Sequence, residues 1–107
     1  MEAYEVHFLQ EALNDLEEIV LYIAQDSPGV ALDLHNKIIE KANTLTTFPK
    51  RGRLVPDKKM KEAEYRMLGI KPYILFYRII ENNVFIYRVL HGATNYPLLY
   101  DKMTKRK

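Results

Sequence analysis

The segment from Tyr73 to Ile80, YILFYRII, carries apolar side chains at both parities. A strand with one solvated face alternates apolar and polar residues, so an eight-residue run without alternation belongs inside a sheet with both faces covered. A one-residue shift would exchange those faces, and the sequence alone leaves the register open. Residues 64–68 and 84–90 read as two further strands. Glu81-Asn82-Asn83 joins the last pair as a tight hairpin, with asparagine tolerating the positive φ such a turn needs. These three strands are expected to form an antiparallel sheet. Cover for its second face has three possible sources: residues 92–107, an exposed aromatic face, or a bound partner.

The chain before this block is helical apart from its start. Residues 4–9 read as a short strand with Tyr4, Val6 and Phe8 on one face and Glu5 and His7 on the other, which makes His7 a solvated strand residue. From Glu11 to about Gln25, Ala12, Leu13, Leu16, Ile19, Val20 and Ile23 recur at helical spacing, and Asp15, Glu17 and Glu18 line the opposite side. Asp26-Ser27-Pro28 breaks the helix and starts another, with Ser27 as N-cap acceptor and Pro28 in the first helical position. The second helix runs to about Thr46 on a stripe of Ala31, Leu34, Ile38, Ala42 and Leu45, with His35 beside it as a partly covered surface residue. The two helices are expected to fold back as a hairpin. The architecture predicted is α+β: an N-terminal strand, a helical hairpin, then a three-stranded antiparallel sheet.

At 107 residues the chain is expected to form one domain, 1–107, with one function. No run approaches the roughly 18 apolar residues of a membrane span, so no membrane partner is expected. The start carries Glu2 and Glu5 where a signal peptide would be basic and then apolar, which places the expected site of action in the cytoplasm. Without cysteine there is no disulfide and no thiolate nucleophile. His7, His35 and His91 lack metal-ligand spacing, so neither metal nor cofactor is expected.

Charge is divided along the chain. Residues 1–45 carry nine acidic and two basic side chains, a net −7, whereas residues 46–107 carry fourteen basic and five acidic ones, a net +9. The basic half raises the potential over the sheet and its approach, where it could steer an anionic ligand or an acidic protein segment. Its densest part is FPKRGRLVPD, residues 48–57, followed by Lys58, Lys59 and Lys61. Two prolines and a glycine mark it as a loop. Arg51 and Arg53 flank Gly52 and are candidate ligands for an anion, although the Walker spacing is absent. Lys50, Lys58, Lys59 and Lys61 read equally well as a solvated surface, and Lys102, Lys105, Arg106 and Lys107 as a solubilising tail.

Taken in order, these pieces resemble the RelE/ParE superfamily of toxins from bacterial type II toxin–antitoxin modules. The resemblance spans nearly the whole chain. It rests on Ala12, Asp15-Leu16, Ile19 and Tyr22-Ile23, on Phe48-Pro49 with Gly52-Arg53, on Tyr65-Arg66-Met67-Leu68, on residues 72–79, and on Arg88-Val89-Leu90-His91-Gly92. The Pro-x-x-Gly-Arg loop, Tyr-Arg-x-Leu strand and Val-Leu-His-Gly segment look most like the ParE branch. That branch implies a non-enzymatic inhibitor of DNA gyrase, neutralised by a cognate antitoxin. The RelE branch implies instead a ribosome-dependent endoribonuclease that cuts mRNA.

Cleavage would demand cations around the scissile phosphate and a proton-transfer group. Aligned by eye, Arg66 stands at the first basic position of RelE-like nucleases, but the next is Leu68, the one after Tyr73 is Ile74, and the last falls near Ala93 or Thr94. An altered nuclease would have to draw on Arg53, Arg66, His91 and Tyr96. As a surface for a target or an antitoxin, the candidates are Arg51, Arg53, Arg66, Arg78, Arg88 and His91. Three of them have a plainer alternative: Arg66 and Arg88 pairing with strand-edge carboxylates such as Glu64, and His91 capping the strand end. An uncovered aromatic and cationic sheet face would suit an antitoxin's acidic and apolar segment.

Overall fold

The computed structural model describes residues 3–92 and 96–104. Ala93 and Thr94, and the basic tail at 105–107, lie outside the described residues. The chain runs β1 (Glu5–Phe8), α1 (Gln10–Ala24), α2 (Pro28–Asn43), a 3-10 turn (Thr44–Thr46), β2 (Arg53–Leu54), α3 (Lys58–Glu62), β3 (Arg66–Ile70), β4 (Tyr73–Ile80), β5 (Asn83–His91) and α4 (Tyr96–Thr104).

The sheet has five strands in the order β1-β5-β4-β3-β2. The expected three antiparallel strands form its middle, and the doubly apolar β4 is central. Two strands enlarge it: β1 pairs with β5 in parallel, and β2 pairs with β3 antiparallel inside the segment read as a loop. Two residues are too few to show a period, and a parallel partner some eighty residues away leaves no turn signal in the sequence.

Each face of β4 has its own core. Leu75 and Tyr77 pack with Ala12, Leu16, Ile38, Ala42 and Leu45 of the helical hairpin. Phe76 packs on the other side with Tyr65, Met67, Val55, Met60, Leu99 and Met103. Phe76 and Tyr77 are both fully buried, and burying one such side chain contributes about 1.5–3 kcal/mol. The second face is thus covered by α3 and α4, which corrects the expectation of an uncovered aromatic face. Of the three sources of cover, the C-terminal segment supplies part through Leu99 and Met103, and the rest comes from Val55 and Met60 in and beside α3, a source the sequence reading did not name.

The register of β5 carries an irregularity. Phe76 faces Arg88 whereas Tyr77 faces Ile86, which leaves Tyr87 as an extra residue in β5. Such a bulge reverses the alternation beyond it. Val84 and Ile86 reach the hairpin core, and so does Val89, at the opposite parity.

Several local expectations change in detail. Ser27 is the N-cap of α2, but its side chain makes no capping bond, and Pro28 alone sets the start. The positive φ of the β4–β5 turn falls on Glu81, at 56°, not on asparagine. The third strand begins at Arg66, because Glu64 adopts φ 63° and turns the chain out of α3. His7 is half-buried: its Nε2 lies 3.0 Å from the Asn83 Oδ1 and its ring stacks on Phe85, so it is not simply solvated.

A candidate partner-binding surface

The loop before β2 is held by the central strand. The Tyr77 hydroxyl donates to the Pro49 carbonyl at 2.7 Å and accepts from the Gly52 N–H at 2.9 Å. Arg66 Nη1 donates to the Gly52 carbonyl at 2.8 Å. A Cβ at position 52 would stand 2.6 Å from the Met67 carbonyl oxygen and 2.8 Å from the Tyr77 ring, so only glycine lets the loop lie this close. Burial raises the pKa of the Tyr77 hydroxyl, while the Gly52 bond and the Arg66 charge oppose the rise. The Pro-x-x-Gly-Arg and Tyr-Arg-x-Leu segments, distant in sequence, therefore meet in one hydrogen-bonded cluster.

Beside this cluster opens a hollow of about 620 Å³ lined by Lys50, Leu54, Lys58, Lys61, Glu62, Glu64, Arg66 and Ile79. Lys58 and Lys61 stand three apart on α3, which brings both to one side of that helix. Asp57 starts the helix by accepting from the Met60 N–H at 3.2 Å. Three of the lysines read equally well as a solvated surface, Lys50, Lys58 and Lys61, thus line the same hollow as Arg66, and none of them was in the candidate set. Their 58/61 spacing was a usable signal once the segment was recognised as helical.

Arg88 forms a different structure. Its guanidinium bonds both carboxylate oxygens of Asp15, at 2.7 and 2.9 Å, and Asp15 also accepts from the Val89 N–H at 3.0 Å. The strand pairing of β1 with β5 ends at Phe8 and Ile86, and the buried Asp15 carboxylate takes over beyond it. The Asp15 hydrogen bond raises the Arg88 pKa above its already high ordinary value. Arg88 therefore pairs with Asp15 of α1 and not with Glu64, and Asp15 does not belong to the solvated side of its helix. The signal was present: Ala12, Asp15, Leu16 and Ile19 follow the i, i+3, i+4, i+7 pattern of a buried stripe.

The other candidates are dispersed. Arg51 is exposed and donates to Thr44 Oγ1 at 3.0 Å. Arg53 is exposed on β2. Arg78 lies over the Tyr65 ring, 5.2 Å from its centroid, and 3.5 Å from the Tyr87 hydroxyl. Burial, then Tyr87, raises the Tyr65 pKa, and Arg78 opposes this. His91 is exposed at the end of β5, its ring edge-on to Tyr73 at 5.8 Å. Tyr96 opens α4 and meets Phe76 edge-on at 6.2 Å.

Strand register sets the distance between these residues. His91 stands opposite Tyr73 and Arg66 opposite Tyr77, four positions and roughly 13 Å apart along the strand. Arg66 and His91 thus stand well apart, on β3 and β5 with the central strand between them. Leu68 is in the hairpin core, and Ile74 packs against the second core. Among the described residues, no three His, Cys, Asp or Glu side chains gather at metal-binding distance, and no helix is long and apolar enough to cross a membrane.

Comparison with known proteins matches residues 6–96 to the ParE toxin of the type II toxin–antitoxin system parDE. The chain belongs to the ParE toxin family. Toxin RelE2 of Caulobacter vibrioides is 33% identical over 82 residues, which covers 77% of this chain and 88% of that protein. Among solved structures, the chromosomal ParDE toxin–antitoxin system from P. aeruginosa is similar with TM-score 0.69 and 19% identity, over 83% of this chain and 96% of the other. The RelBE2 toxin–antitoxin complex of Mycobacterium tuberculosis is similar with TM-score 0.62 and 25% identity, over 83% and 98%. This ParE-family chain is thus a type II toxin of the RelE/ParE superfamily, with the strand-flanked helical hairpin of those folds.

Proposed function

We propose that this ParE-family toxin acts by binding and not by cleavage, as a cytoplasmic inhibitor of DNA gyrase neutralised by a cognate antitoxin. The observation that carries the reading is the fate of the positions a RelE-like nuclease would use. Leu68 and Ile74 are packed among apolar side chains, Arg66 braces the Gly52 loop, and His91 stands well apart from it on β5. A single phosphate-stabilising donor supplies roughly 2.7–4 kcal/mol of transition-state stabilisation. Loss of several leaves little cleavage activity. An antitoxin partner is supported by the similar solved structures, which are toxin–antitoxin systems.

The alternative, ribosome-dependent cleavage of mRNA, draws support from the relative named RelE2. Expression from a tight promoter separates the two when DNA and protein synthesis are followed independently. Gyrase inhibition predicts filamentation and an early fall in DNA synthesis. Early translation arrest with cleaved mRNA would sink the proposal.

A further inference from the structure

A second depression, of about 530 Å³, is lined by Tyr4, Thr47, Phe48, Pro49, Lys50 and Arg51, and its make-up differs from that of the hollow beside Arg66. We propose that it binds a nucleotide unit, with the base stacked on Phe48 beside Tyr4 and the phosphate held by Lys50 and Arg51. The inference goes beyond the gyrase reading and does not depend on it.

Local structure brings these groups together. The Arg51 N–H donates to the Phe48 carbonyl at 3.0 Å, which closes a β-turn with Pro49 in its second position. The ends of such a turn lie within about 7 Å of each other, so Phe48 and Arg51 emerge side by side. The Phe48 N–H donates to the Thr44 carbonyl at 3.0 Å and the Tyr4 N–H to the Thr46 carbonyl at 2.9 Å, which ties both aromatic residues to the 3-10 turn. Tyr77 holds the Pro49 carbonyl from the central strand. The frame is therefore set before a ligand arrives.

Three features select a nucleotide. First, Phe48 is 64% exposed and Tyr4 is half-buried against the hairpin core, so two aromatic rings border one depression. Bases of any identity stack on such rings. Second, the charged lining residues are Lys50 and Arg51, both exposed cations, and among the described residues neither is ion-paired. Glu62 and Glu64 line the hollow and not this depression, so no carboxylate here opposes a phosphate. Arg51 uses one of its N–H groups on Thr44 Oγ1, at 3.0 Å, which orients a guanidinium fork suited to paired phosphate oxygens. Third, the apolar lining is two aromatic rings and a proline, without the aliphatic pocket that would anchor a peptide's Leu or Val. The volume falls within the roughly 300–1,000 Å³ of small-molecule sites. The Phe-Pro pair of the loop then has a purpose of its own, as a stacking surface on a fixed turn.

The nucleotide can be free in solution or one unit of a single strand, and the test separates these sources. Amide shifts of the full chain are followed on addition of thymidine monophosphate, thymidine, deoxyribose 5-phosphate, dodecathymidylate and, as the competing chemistry, a dodecapeptide of alternating Asp and Leu. The monophosphate is expected to shift Tyr4, Thr47, Phe48, Lys50 and Arg51 saturably. Thymidine and deoxyribose 5-phosphate should each bind about tenfold more weakly, since each lacks one of the two contacts. Phe48→Ala and Lys50→Glu should each weaken binding severalfold, and both side chains are exposed, so neither change disturbs the core. Tighter binding per nucleotide by dodecathymidylate assigns the site to a strand, and equal binding per nucleotide to the free nucleotide; either upholds the proposal. No saturable shift with monophosphate or strand would overturn it. So would deoxyribose 5-phosphate binding as well as the monophosphate, unchanged affinity in Phe48→Ala, shifts that miss Tyr4 and Phe48, or tighter binding of the peptide.

Discussion

Tyr77 shows how much of the loop hangs on one hydroxyl, since it serves the Pro49 carbonyl and the Gly52 N–H at once. Tyr77→Phe keeps the ring and leaves both backbone groups without that partner. The expected cost is about 1–3 kcal/mol, read as a lower urea midpoint with unchanged far-UV dichroism. The same group sets an alkaline limit. Its folded pKa is raised by burial, so above about pH 10 the unfolded chain gives up a proton that the folded chain retains, and stability falls as pH climbs through that range. Tyr65 acts in the same sense. In Tyr77→Phe the alkaline decline should be shallower, which urea titrations between pH 8 and 11 would reveal. Asp15 is the second residue on which much depends. Asp15→Ala strands the Arg88 guanidinium and the Val89 N–H together, and because Arg88 is 24% exposed the cost should lie near the lower end of the roughly 3–5 kcal/mol for breaking a buried pair. Thermal denaturation checks it, and Asp15→Asn should lose less.

Among the elements, α4 decides whether the sheet has one core or two. Leu99 and Met103 cover Phe76, Tyr65 and Met67, so Leu99→Ala should cost about 2–5 kcal/mol and increase binding of an apolar dye. A variant as stable as the parent would mean that α4 does not seal this face. The extent to which such elements were legible differed for physical reasons. The helical hairpin and β4 have long, consistent apolar patterns, and their positions followed from the sequence. The two-residue β2 has no period, the pairing of β1 with β5 is decided across the whole chain, and the Tyr87 bulge breaks the alternation from which β5's faces would be read. The candidate site was legible in type more than in membership. Arg66 was found and lines the hollow, but Lys58 and Lys61 looked like loop residues until α3 put them on one side. Arg88, picked for its charge, turned out to be committed to Asp15.

Along the sequence, the half with net charge −7 contains the helical hairpin, and the half with net charge +9 contains the loop, α3 and most of the sheet. This distribution favours approach of an acidic partner to the loop side, and association should slow as salt shortens the screening length toward about 8 Å at 0.15 M. The ParE-family fold supplies the scaffold, and the proposed action by binding assigns recognition to its exposed cations. The most direct measurement adds the purified toxin, in parallel, to a gyrase supercoiling reaction and to ribosomes programmed with a defined mRNA. Inhibition of supercoiling or accumulation of cleaved plasmid, with the mRNA left intact, is the predicted result. Endonucleolytic cuts in the mRNA, with gyrase unaffected at the same toxin concentration, would contradict it.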